Sequence, residues 1–130
     1  MKFLLETTEE SYNLQASVGM IGQDILIAIW GGEKPHIGAV SITQARPSIQ
    51  DPQAVGVSTS VFCFLGHKED DLAKMIGERI AQACKTNVVV TAGIHWDHIT
   101  EEGIQKVIEN SAILAKMIIE QIQSQMSSKL

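Results

Sequence analysis

The chain has 130 residues, is 45% hydrophobic and 19% charged, and carries a net charge of −5. That length can bury a core as one domain, residues 1–130. The acidic balance, with no run of Lys and Arg, argues against a nucleic-acid surface, which needs clustered cations to neutralise phosphate. No stretch approaches the roughly 18 apolar residues of a membrane span. Phe3-Leu4-Leu5 is too short for a signal-peptide core, so a cytoplasmic protein without membrane contact is expected.

A weak first strand covers Phe3 to Thr7. Leu14, Ala16 and Val18 alternate with Gln15 and Ser17, the period-two pattern of a half-buried strand. Gly19 to Asp24 reads as a turn. Ile25 to Trp30 is apolar at every position, as in a strand covered on both faces. Ile37 to Thr43 returns after a glycine-proline turn, which predicts a hairpin with the preceding strand. Arg46 to Gln53 has two prolines and no period, and is expected to be a loop. Val55 to Cys63 alternates again as a strand with two unlike faces.

The period then changes. Leu72, Met75, Ile76, Ile80, Ala83 and Cys84 recur at helical spacing. Glu69, Asp70 and Asp71 place negative charge where the helix macrodipole favours it. Val88-Val89-Val90 marks another strand within Asn87 to Thr91. Thr100, ahead of Glu101 and Glu102, is a candidate N-cap. Ile104, Val107, Ile108, Ser111, Ala115, Ile118 and Ile122 then give a long helical face, widened by Ile113, Leu114, Met117 and Ile119. So broad an apolar face suggests self-association. Five strands, a helix, a strand and a helix predict an α+β fold, an antiparallel sheet of about six strands with two helices packed on it. The two cysteines, Cys63 and Cys84, lie in apolar patterns and are expected to be reduced, buried and unreactive.

All four histidines fall at three glycine-containing turns: Gly31-Gly32-Glu33-Lys34-Pro35-His36-Ile37-Gly38, Gly66-His67-Lys68-Glu69-Asp70-Asp71 and Gly93-Ile94-His95-Trp96-Asp97-His98. So many ionisable groups at tight turns point to a contact surface. The double glycine permits positive φ and close backbone approach, and free amides beside Lys34 could receive an anion; equally, backbone geometry alone could demand the glycines. The segment is neither a Walker loop nor a dinucleotide fingerprint. In an extended segment His95 and Asp97 point to one side, and with His36 or His67 they could form a metal site. A stand-alone metal-assisted hydrolase using His95, Asp97 and His36 is therefore the alternative function. The plainer reading of this turn is that Asp97 caps the following helix while His95 bonds backbone. There is no Gly-x-Ser-x-Gly elbow, so nucleophilic catalysis has no support.

The three motifs, in this order and spacing, resemble the small D-type proteins associated with gallate decarboxylases, a prenylated-flavin chaperone-like family whose fold is similar to that of the proteasome assembly chaperones. The resemblance runs from Gly31 to the last helix. It implies a non-catalytic accessory protein, often dimeric, that supports maturation or assembly of a prenylated-FMN-dependent aromatic acid decarboxylase. The implied partners are the large decarboxylase subunit and a second copy of the chain. No residue pattern here independently predicts a bound metal or cofactor; prenylated FMN enters only through the resemblance. Carried onto this chain, the motif positions form a ligand- or partner-binding face of Gly31, Gly32, Glu33, Lys34, Pro35, His36, Gly38, Gly66, His67, Lys68, His95 and Asp97.

Overall fold

The computed structural model describes residues 2–64 and 69–127. Its elements are β1 (Lys2–Glu6), β2 (Leu14–Ile21), β3 (Asp24–Gly32), β4 (Ala39–Pro47), β5 (Val55–Cys63), α1 (Asp70–Cys84), β6 (Val88–His95) and α2 (Glu101–Ser127). The six strands form one sheet in the order β1-β2-β3-β6-β4-β5. Both helices pack on the same face of it. The fold is α+β, as the order of periods predicts.

Four of the five strand pairs are antiparallel, but β3 and β6 run parallel, from Ile25 beside Val88 to Gly32 beside His95. The hairpin expected between β3 and β4 is therefore absent. β6 lies between them, pairing parallel to β3 and antiparallel to β4. An apolar run reports that a strand is buried, but not which strand lies next to it.

Alternation sets the two faces. Leu14, Ala16 and Val18 of β2, Ile25, Ile27 and Ile29 of β3, and Val88 and Val90 of β6 point at the helices and are buried. Ile76 and Ile80 of α1 and Leu114, Ile118 and Ile122 of α2 meet them, all fully buried. Each such side chain contributes about 1.5–3 kcal/mol relative to exposure. Leu26 of β3 lies on the opposite face and is 45% exposed. The second face of this apolar strand is thus partly exposed, with Ala28 and Trp30 half-buried.

Several boundaries differ from expectation. β2 continues through Gly19 to Ile21, so the turn shrinks to Gly22-Gln23, and β4 takes in Arg46 and Pro47. In the first turns of α2 the buried positions are Gly103, Asn110 and Ser111, while Ile104 and Ile108 stay exposed. Asn110 replaces an isoleucine in the stripe because its carboxamide donates to the carbonyls of Ser11 and Tyr12 (2.8 and 2.7 Å). Thr100 caps α2 as expected, its hydroxyl accepting from the Gly103 N–H at 3.0 Å. Cys63 and Cys84 are half-buried rather than buried and are not joined to each other. Burial pushes the Cys84 thiol up, away from reactive thiolate.

Candidate functional site

The central parallel pair β3 and β6 finishes at one end of the sheet, and there the first and third histidine turns meet. Gly32 has a φ of 87°, and a Cβ on it would collide with the His95 carbonyl. Gly93 has the reciprocal role: a Cβ there would overlap the His36 carbonyl. Removing two side chains lets the 33–38 connection lie directly on the end of β6. The Glu33 N–H donates to the His95 carbonyl (2.7 Å) and the Gly38 N–H to the Ala92 carbonyl (2.9 Å). Two amides considered for an anion are therefore spent on backbone. Trp96 covers Gly31 and Gly32 and meets Tyr12 edge-on, with ring centroids 5.0 Å apart.

Two histidine–carboxylate pairs result. In the inner one, His36 Nε2 lies 2.9 Å from Glu69 Oε1, with side-chain exposures of 23% and 11%. His36 Nδ1 faces the Lys34 carbonyl at 2.8 Å; a carbonyl only accepts, so Nδ1 donates this bond, and an ionised Glu69 needs Nε2 to donate as well. The same Glu69 oxygen accepts from the Ile94 N–H at 3.3 Å, and the carboxylate lies against Gly38. Glu69 occupies the N-cap position of α1 but makes no side-chain cap bond. Its carboxylate instead ties the helix start to the first turn and to β6.

In the outer pair, His95 Nε2 lies 2.8 Å from Asp97 Oδ1, and the Lys34 ammonium is 3.5 Å from the same oxygen. Asp97 is exposed, and neither caps α2 nor leaves His95 to the backbone. Hydrogen bonding to His95, then hydrogen bonding with Glu33 and the charge of Lys34, holds its carboxyl below the ordinary aspartate value of 3.8.

The structure thus brings together Gly31, Gly32, Glu33, Lys34, Pro35, His36, Gly38, His95 and Asp97 from the sequence-derived set. Gly66, His67 and Lys68 lie outside the described residues. Sequence reasoning assigned Glu69 to an acidic first turn, placed Gly93 and Trp96 in the third turn without giving them a role, and did not single out Tyr12 or Asn110. Among the described residues, no three His, Cys, Asp or Glu side chains close on a point that could hold a metal ion. The metal-assisted hydrolase therefore has no assembled centre here. No helix among those residues is long and apolar enough to cross a membrane.

The architecture places the chain in a known structural class. It superposes on a chain in the crystal structure of a novel chaperone complex for yeast 20S proteasome assembly with a TM-score of 0.51. That match covers 95% of this chain and 96% of the other at 14% identity, a likeness of fold alone. The sequence resolves the class further. Residues 8–123 match the model of the prenylated flavin chaperone LpdD-like domain, and the chain belongs to that family. Protein LpdD of Lactiplantibacillus plantarum is 32% identical over 119 residues, 91% of this chain and 84% of that protein.

Proposed function

We propose that this chain is a single-domain, non-catalytic, chaperone-like accessory subunit. It supports maturation or assembly of a prenylated-FMN-dependent aromatic acid decarboxylase, and it acts in the cytoplasm as a homodimer. Membership of the family carries the proposal. The clustering of two histidine–carboxylate pairs at one sheet end supports its location.

The chemistry of the cluster favours a protein partner over direct capture of the flavin phosphate. Lys34 is its one cation among the described residues and is paired with Asp97, while Glu33 and Glu69 add two further carboxylates to the cluster. The Glu33 and Gly38 amides are already bonded. These residues do not form a phosphate cradle, which needs free amides or converging cations. They do suit recognition of polar groups and cations on a docked chain, with Glu33 and Asp97 accepting, Lys34 donating, and His36, Pro35 and the neighbouring turn shaping the contact. Gly66, His67 and Lys68 complete this face in the proposal.

The test is to co-produce the decarboxylase large subunit with the His36→Ala/His95→Ala variant and measure decarboxylase activity and co-purification. Loss of both with a folded variant supports the reading. Wild-type activity and co-purification would remove it.

A further inference from the structure

The two edges of the sheet are built differently. β1 is five residues long and carries Lys2 and Glu6 at its ends. β5 is nine residues, Val55-Gly56-Val57-Ser58-Thr59-Ser60-Val61-Phe62-Cys63, with no charge and no proline. Proteins usually blunt a long edge with one or the other, because its outward N–H and C=O groups are a template for another strand. Among the described residues, β5 keeps its edge open at the centre.

Its backbone polarity can be read from both ends. The Ser48 N–H donates to the Ala54 carbonyl and the Phe64 N–H to the Gly38 carbonyl. The even-numbered residues of β5 therefore bond to β4, and the odd-numbered ones direct N–H and C=O away from the sheet. Two of these outward carbonyls have side-chain donors: Gln82 reaches the Val55 oxygen (3.3 Å) and Arg46 the Val57 oxygen (3.2 Å). Thr59 and Val61 lie beyond both. Val61 is 39% and Phe62 62% exposed.

The sequence of this edge reads nearly the same in both directions about Thr59. Val57 mirrors Val61, Ser58 mirrors Ser60, and Gly56 mirrors Phe62. We infer that β5 is a self-association edge, pairing antiparallel with β5 of a second copy about a two-fold axis at Thr59. In that register every outward-directed residue meets an outward-directed residue, so the parity of the ladder is satisfied, and the Val57 carbonyl, which can accept twice, takes the partner's Val61 N–H beside Arg46. Valine faces valine and serine faces serine. Phe62 of each copy lies across from the other's Gly56, beside the Arg46 guanidinium that covers this glycine, an arrangement open to cation–π attraction. Moving the axis to Ser60 keeps the hydrogen-bond parity but sets threonine against valine and serine against phenylalanine. An antiparallel pairing is isologous, so it stops at two copies. It would join two six-stranded sheets edge to edge and place the two faces without helices side by side. The inference rests on the homodimer of the preceding section and is independent of the decarboxylase.

The experiment uses the full chain carrying Cys63→Ser and Cys84→Ser. With Thr59→Cys added, mild oxidation is expected to give a disulfide-linked dimer. A two-fold hydrogen-bonded pair sits about 5.5 Å apart at Cα, within disulfide reach. Ser60→Cys and Val61→Cys, which face Ser58 and Val57 instead, should cross-link far less. Separately, Val61→Pro removes an outward N–H that the monomer's own sheet does not use. Its circular dichroism should match wild type while its sedimentation mass falls from twice 14.2 kDa to a single copy. A wild-type monomer at micromolar concentration would overturn both the homodimer and this edge. A wild-type dimer that survives Val61→Pro, with no preference for cross-linking at position 59, would overturn the edge alone.

Discussion

The two histidine–carboxylate pairs sit at the same end of the sheet and use the same chemistry, yet they hold different things. His36 and Glu69 are largely buried, and Glu69 also accepts from the Ile94 N–H, so the pair binds three chain segments. His95 and Asp97 lie two residues apart, are each more than 40% exposed, and among the described residues answer to Glu33 and Lys34. Burial and long sequence separation make the first pair structural. Exposure and local connection leave the second available to a partner. Ionisable residues at a turn thus do not announce their role by type; what else they touch decides it.

The sharpest way to break the contrast is through the backbone beneath the inner pair. Gly93→Ala would drive a methyl group into the His36 carbonyl. It should cost about 3 kcal/mol or more, since overpacking against backbone cannot relax by a rotamer change; urea unfolding measures it. Glu69→Ala comes next, at about 1–3 kcal/mol, because it strands the Ile94 N–H and one face of His36. His95→Ala should leave stability within about 0.5 kcal/mol of wild type.

The same variant sharpens the comparison electrostatically. A depressed aspartate contributes stability that is present above its unfolded value of 3.8 and is lost as pH falls through the lower folded value. Removing His95 should therefore move the Asp97 carboxyl titration upward, toward 3.8, as read by carbon-detected NMR. An unmoved midpoint would mean that Lys34 and Glu33 carry the shift. Lys34→Ala should have the smallest effect, about 0–1 kcal/mol, fading with salt as exposed ion pairs do.

Much of the architecture was legible because period is a local property. The switch from alternation in residues 14–63 to helical spacing after Leu72 fixed the order of elements. Topology was not legible: Gly31-Gly32 followed by Pro35 has the composition of a hairpin turn, and nothing local reveals that residues 88–95 come to lie between β3 and β4. The same limit governs the site. Histidines beside glycines drew notice because those residue types are rare and chemically distinct. Glu69 passed for an ordinary helix-start acid, and its real partners, His36 and the Ile94 amide, lie 33 and 25 residues away. Asn110 was hidden inside an apolar stripe because its bonds reach back to Ser11 and Tyr12, about a hundred residues earlier. Tyr12, held at a φ of 57°, carries no sequence mark of that strain.

The late arrival of β6 sets an order of events during synthesis. β3 and β4 are synthesised before residues 88–95, yet neither acquires its central neighbour until those residues are made. Until then a hairpin of β3 with β4, which their own turn invites, competes with the native order. Non-local pairing of this kind is slow and leaves edges open meanwhile. A protein in a chaperone family thus has a wait built into its own folding.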